Sequence, residues 1–377
     1  MRFKKIIFFT FISKKREMRA FPLFDFNLNQ NSKTLLIYQK PPNKLKKFLK
    51  KKYSSENSSS AQMDKSLHRK KHGDRFIRNL KKTLKKKKFK NNSFLEIGCG
   101  SGYILKKLKA EGSNVVGIEP GKKINKSNNT KILNSFFEKI NFNKKFDYII
   151  NNAVLEHQIN PIEFLKKVKK DLKLNGYTFI CVPDYEKQLK SGDPTLMNHE
   201  HISYFTKKTL KTILRISGFS KVKTFNDGLG NLYGVGRNLK QLKVSFEYKI
   251  SKDKNLAKIY FLKFSKTINK IEKWLKLNLK DNLNLGLYGA TSSITNIFSL
   301  IKHDKNKIFI FDTDQSKQNK YINGFSNPVM HPREIKKRRI CKIIILPLYY
   351  EKEIKDFLKK SINYNSKKII NLSQFTN

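Results

Sequence analysis

The amino-acid sequence predicts an α/β protein: one doubly wound domain with a parallel sheet, followed by a second, smaller α/β unit. Three observations carry this. Short apolar runs alternate with stretches of helical spacing from about residue 93. A glycine-rich turn, Gly98-Cys99-Gly100-Ser101-Gly102, stands where a strand hands over to a helix. The same alternation restarts near residue 285. A chain of 377 residues holds two domains at about 100–200 residues each.

Residues 1–64 show weak periodicity and reach the polar stretch Ser54 to Ser60, so an irregular basic segment is expected there. The first domain is placed at 65–240. It opens on a helix carrying Phe76, Ile77, Leu80 and Leu84. Phe94–Ile97 is the first strand, and the helix after its glycines carries Ile104, Leu105 and Leu108. Val115–Ile118, Tyr148–Ile150 and Tyr177–Val182 read as further strands. Between the last two lies a helix with Asn160 as cap, Pro161 in its first turn, Glu163 three residues after the cap, and Phe164, Leu165, Val168 and Leu172 on one side. Residues 241–282 read as a lysine-rich helical linker. The second domain, 283–377, has strands at Leu285–Tyr288, Lys307–Phe311 and Ile343–Leu346, the last stopped by Pro347, and helices through Ile294 and Phe298 and over Glu351–Lys360.

Composition narrows the class. Three dispersed cysteines, Cys99, Cys181 and Cys341, exclude a disulfide framework and a cysteine zinc knuckle. No apolar run approaches the roughly 18 residues needed to span a bilayer. The run from Ile6 to Ile12 is too short, and Lys14, Lys15 and Arg16 follow it. A cytoplasmic protein with no membrane span is expected. The net charge of +52, from 81 basic and 29 acidic residues, raises polyanion binding. Yet the lysines are spread through every segment beside many asparagines, isoleucines and phenylalanines, the pattern that A/T-rich codons supply. The dense runs Lys44–Lys52 and Lys81–Lys90 have few aromatic residues for base stacking. No specific nucleic-acid partner is expected.

The glycine turn selects its ligand by spacing. A dinucleotide loop is G-x-G-x-x-G, whereas this one is G-x-G-x-G preceded by Glu96 in the strand. An acid there would repel a pyrophosphate but can accept hydrogen bonds from a cationic amino group. A second acid, Glu119, ends the next strand, where it can accept from both ribose hydroxyls. An adenosyl compound with an α-amino group fits better than a dinucleotide.

On these residues the chain resembles the class I S-adenosylmethionine-dependent methyltransferases, with a Rossmann-like domain, over about 93–220. Asn151–His157, with its Leu-Glu-His ending, and Gly176 belong to the resemblance. It implies that Glu96, Gly98, Gly100 and Gly102 shape the methionine pocket, that Glu119 holds the ribose, and that Asn152 lies beside the sulfonium. Ser135 and Phe136 match the adenine side only loosely. Tyr53-Ser54-Ser55, Glu119-Pro120, the run Asn198 to Phe205, and the C-terminal unit resemble the nucleotide-sugar C-methyltransferases, which act on nucleotide-linked keto-deoxysugars. That C-terminal unit, with Tyr288-Gly289-Ala290, Asp312, Lys317, Gln318 and Leu346-Pro347, is similar to their second Rossmann-like domain. By resemblance it would hold the sugar nucleotide, although Gly289-Ala290-Thr291-Ser292-Ser293 lacks the further glycines of a dinucleotide loop. Members of that family begin with a cysteine-rich zinc domain. This chain has no such cysteines, so no metal is expected, and Asn198 stands where the family has tyrosine.

Methyl transfer from a sulfonium is an in-line displacement that needs alignment and a ready nucleophile. A carbon nucleophile needs a proton removed beside a ketone, and a hydroxyl needs a base as well. His199-Glu200-His201 supplies the residue types, with His201 expected as base and His199 and Glu200 in support. The histidines could instead bind a metal or cap the helix that begins near Thr206. His157 reads as a pocket-wall or structural residue, and Cys99 as a small filler. The reading is an S-adenosylmethionine-dependent methyltransferase acting on the carbon of a nucleotide-linked keto-deoxysugar. Its alternatives are a sugar or small-molecule O-methyltransferase, or a polyanion-binding protein on the same fold.

The charge gives the first prediction. If it is compositional, DNA binding followed by fluorescence anisotropy is weak, indifferent to sequence, and collapses toward physiological salt. Tight, sequence-selective binding at that salt contradicts it.

Overall fold

The apolar runs become the centres of two parallel sheets, because strands buried on both faces must pair with strands of the same kind. The computed structural model describes residues 2–9, 11–12, 22–54, 67–121, 130–240, 255–278, 283–302 and 304–376. Ser55–Ser60, Lys14–Arg16 and the first part of the expected linker, 241–254, lie outside the described residues.

The larger sheet contains Ser93–Ile97, Asn114–Ile118, Lys131–Leu133, Phe146–Asn152, Leu172–Pro183, Ser220–Asn226 and Asn231–Arg237. Counted along the chain, their spatial order is 3-2-1-4-5-7-6, and the seventh is antiparallel to both neighbours. The chain leaves the first strand on one side and returns beside it as the fourth. The carboxyl ends of these two strands therefore flank the crevice where ligands bind in such sheets. Helix Pro161–Asp171 starts as its sequence predicts, with Asn160 Oδ1 accepting from the Glu163 N–H at 3.2 Å.

The smaller sheet contains Asn284–Tyr288, Ile308–Phe311, Val329–Met330, Ile340–Ile345 and Ile369–Asn371, all parallel, in the order 3-2-1-4-5. It repeats the order of the first five strands of the larger sheet. Helix Leu256–Asn278 precedes it and buries Tyr260, Phe264, Ile268, Ile271 and Leu275.

The N-terminal segment corrects an expectation. Its described residues are not irregular: Arg2–Ile7, Leu23–Gln30 and Ile37–Gln39 form a sheet completed by Ser203–Tyr204, and helix Asn43–Tyr53 follows. Phe24, Phe26 and Leu28 alternate inward along Leu23–Gln30, and the strand that completes the sheet beside Ile37–Gln39 lies more than 160 residues further along the chain. The segment also reaches the second unit, where Phe11–Ile12 pairs with Tyr321–Ile322 and Asn323 Nδ2 donates to the Phe8 carbonyl at 3.0 Å. Ile6, Phe26 and Ile37 share one core cluster with Tyr260, Phe264, Ile294 and Phe298. Among the described residues, no helix is long and apolar enough to cross a membrane.

His199 lies inside this N-terminal packing, 4% exposed. Phe8, Phe24 and Phe26 surround its ring at centroid distances of 5.7–5.8 Å, and its Nε2 is 3.4 Å from the Phe24 carbonyl. Burial lowers its pKa to about 4. The unfolded chain, near 6.5, therefore binds a proton that the folded chain refuses. Stability is full above pH 6.5 and declines by about 3 kcal/mol as pH falls toward 4. Urea unfolding of the wild type and His199→Leu across that window should show the variant losing less stability. Parallel pH dependence in the two proteins contradicts a buried, neutral His199.

Candidate active site

The glycine turn sits over the end of the first strand of the larger sheet. Gly98 has φ +71°, and a Cβ there would meet Val154 Cγ2 at 2.4 Å, so this position closes two loops against each other. Gly100 and Gly102 also have positive φ. Glu119 is 2% exposed and accepts from the N–H groups of Gly100, at 3.0 Å, and Gly121, at 3.1 Å. Asn134 Nδ2 donates to the carbonyls of Glu119 and Gly121, fixing the turn. Glu119, Gly98, Pro120, Ser135 and Phe136 line one groove.

Glu96 is buried, 2% exposed. It lies beneath the loop, is hydrogen-bonded by the Leu105 backbone, and does not line the groove. Burial, and then the adjacent Glu119, push its carboxyl well above the usual range. Cys99 is the small filler expected, its Sγ set against Gly117, where a Cβ would come within 2.5 Å.

Asn152, ending the fourth strand, also lines the groove. Its Nδ2 donates to His72 Nδ1 at 3.3 Å, and His72 Nε2 bonds Asn231 Oδ1 at 2.9 Å. Its own Oδ1 has no hydrogen-bond partner among the described residues. His72 comes from helix Leu67–Leu84, which sequence spacing marked only by its apolar face.

The opposite wall of the groove is built around the turn Asn198–Ile202. The buried Gln39 donates through Nε2 to the carbonyls of His201, at 2.9 Å, and His199, at 3.3 Å. The Ile202 N–H donates to the Glu156 carbonyl at 2.7 Å. This turn sends Glu200 and His201 into the groove and His199 backward into the phenylalanine cluster. The expected trio is thus divided. Lys52 pairs with Glu200, and the Tyr53 hydroxyl donates to Glu200 Oε2 at 3.3 Å. His157 Nδ1 lies 2.8 Å from the Glu200 carbonyl, and His201 Nδ1 meets the Tyr185 hydroxyl.

Glu156, His157 and His201 bring potential ligand atoms within 4.8 Å of one another, although sequence spacing showed no third partner for the two histidines. The set is short of a resident metal's needs. With Nδ1 of His201 taking the Tyr185 hydrogen, its other nitrogen carries a proton, and two lone-pair groups remain where a structural zinc uses four. The helix after the turn has its own cap, Thr206 with Thr209, so the histidines do not serve that purpose.

The groove continues to the second unit. Gly289 has φ +99°, and a Cβ there would meet Pro347 at 2.5 Å. The Ala290 N–H donates to Asp312 Oδ2 at 2.9 Å, and Lys317 Nζ lies 2.8 Å from the same oxygen. This mirrors the bond from Gly100 to Glu119. The Asp312 carboxylate is occupied by its own loop.

Residues 68–224 match the family model of the methyltransferase domain, and residues 282–370 match the one described as C2185-like, N-terminal. The ubiquinone biosynthesis O-methyltransferase of Pelagibacter ubique (strain HTCC1062) is 34% identical over 139 residues, covering 34% of this chain and 57% of that protein. A tRNA U34 carboxymethyltransferase of Pseudoalteromonas translucida (strain TAC 125) is 36% identical over 98 residues, covering 23% of this chain and 30% of that protein. The chain therefore spans 57% of the length of the first of these relatives and 30% of the second.

Glu119→Ala should weaken S-adenosylmethionine binding by roughly 1–3 kcal/mol, the cost of leaving buried hydroxyl and N–H donors without their acceptor. Calorimetry that finds unchanged affinity removes Glu119 from the donor site.

Proposed function

We propose that this chain, whose residues 68–224 form a methyltransferase domain with S-adenosylmethionine as donor, methylates a carbon of a nucleotide-linked keto-deoxysugar. The observation that carries the reading is one groove of about 2240 Å³ running from the donor loop, past His157, Glu200 and His201, to Gly289 and Asp312 of the second unit. Small-molecule pockets run to about 300–1,000 Å³, so this groove has room for a long acceptor beside the donor. Lys46, Lys50, Arg69 and Lys320 line it, a setting that favours phosphates between the two ends.

In this reading the ribose rests on Glu119 and the donor's α-ammonium on Asn152 Oδ1, an acceptor with no hydrogen-bond partner among the described residues. The sugar lies against His157, Glu200 and His201, and its nucleotide reaches the turn at Gly289. The protein's task is to align the nucleophile with the S–CH3 bond and to manage one proton. A second reading, O-methylation, draws support from the Pelagibacter relative, named for O-methyl transfer. The same wall could deprotonate a hydroxyl.

Incubation with methyl-labelled donor and a nucleotide-linked keto-deoxysugar, followed by mass spectrometry and NMR, separates the readings. The expected product carries the label on carbon beside the ketone. Label on oxygen selects the O-methyltransferase reading, and label on added tRNA in place of the sugar moves the acceptor to nucleic acid.

A further inference from the structure

The rings of His157 and His201 stand with centroids 4.9 Å apart, and their neighbours determine where each proton sits. Nδ1 of His157 is 2.8 Å from the Glu200 carbonyl, which can only accept, so Nδ1 carries the hydrogen. The Tyr53 hydroxyl, 3.1 Å from the same nitrogen, directs its own hydrogen to Glu200 Oε2. Lys52 occupies the other oxygen of that carboxylate. His157 Nε2 is therefore a bare lone pair. It lies 3.9 Å from Oε1 of Glu156, a fully buried carboxylate whose oxygens have no hydrogen-bond partner among the described residues.

His201 is set the opposite way. Its Nδ1 meets the hydroxyl of Tyr185, a residue 5% exposed. Leaving a buried hydroxyl donor unused is costly, so the phenol donates, Nδ1 accepts, and the ring hydrogen sits on Nε2. Burial pushes the Tyr185 phenol well above its ordinary range, which keeps its proton in place. Burial, and then the adjacent His157, push His201 well below its ordinary value, so the ring is neutral.

We infer, building on the methyltransferase reading above, that His157 is the base that takes the acceptor's proton, and that His201 is the hydrogen-bond donor to the developing oxyanion, oriented by Tyr185. His157 Nε2 removes the proton from the carbon beside the ketone. The C–H electron pair forms the enolate double bond, and the carbonyl electrons move onto oxygen, which accepts from His201 Nε2–H. The enolate carbon then attacks the donor's methyl group. The S–CH3 bond breaks with its electrons passing to sulfur, leaving S-adenosylhomocysteine. The proton stays on His157, where Glu156 faces the new imidazolium, until water removes it. A neutral imidazole acting as donor does not have to lose its proton in the step. Tyr185 touches no reacting atom and is a positioning residue.

The direct test is the nitrogen-detected spectrum of protein carrying ¹⁵N-labelled histidine, assigned with His157→Asn and His201→Asn. The expected result is His157 protonated on Nδ1 and His201 on Nε2, with Tyr185→Phe converting His201 to a mixture of tautomers. A wild-type spectrum with the His201 proton on Nδ1 overturns the assignment. This measurement needs no acceptor, so it decides the proton positions even where the sugar reading fails. With the keto-sugar in deuterated water, His157→Asn should slow exchange of the carbon-bound proton about 10²–10⁴-fold, with donor affinity unchanged. Tyr185→Phe should lower kcat while leaving the donor's KM as it was. Exchange that survives in His157→Asn and is lost in His201→Asn returns the base to His201.

Discussion

The pairing of Ile37–Tyr38 with Ser203–Tyr204 is the contact on which the groove wall at Glu200 and His201 depends. It brings a strand from the start of the chain against Ser203–Tyr204 and places the buried Gln39 under the carbonyls of His199 and His201. Without it the turn Asn198–Ile202 would lose the Gln39 bonds and keep its bond to the Glu156 carbonyl. The same segment then supplies Lys52 and Tyr53, which fix the Glu200 carboxylate, and through the Glu200 carbonyl the orientation of His157 follows. One antiparallel pairing thus sets the geometry of three polar side chains that are far apart in sequence.

The two parallel sheets share a second constraint. In each, an acid at the end of the second strand accepts from a backbone N–H of the turn after the first: Glu119 from Gly100, Asp312 from Ala290. Such charge-assisted bonds hold a tight turn open toward the crevice. Glu119 lines the groove, and Asp312 also carries Lys317. The second unit therefore offers a ligand its turn and its cations rather than its acid.

Local signals made much of this legible in the sequence. The strands at Phe94, Val115, Tyr148 and Leu285, the Asn160 cap, and the turn at Gly98 each depend on residues within a few positions of one another. What the sequence hid depends on distance along the chain. The inward alternation of Phe24, Phe26 and Leu28 is a strand signal, but the sheet it belongs to is completed, beyond Ile37–Gln39, by a strand near residue 203. Tyr185 and His72 carry no local mark, since their roles come from His201 and Asn152 across the fold. His199 and His201 are equivalent as a motif. The turn between them breaks the alternation of an extended strand, so that one enters the groove and the other a phenylalanine cluster. Glu96 looked like a ligand acid, yet its side chain lies under the next helix.

In the proposed arrangement donor and acceptor meet at the crevice between the first and fourth strands, with the sulfur facing His157 and His201. A crystal structure of the complex with S-adenosylhomocysteine tests this most directly. The account requires the ribose on Glu119, the amino group near Asn152 and the sulfur open to the two imidazoles. A ligand seated elsewhere, or a sulfur turned away from that wall, would contradict it.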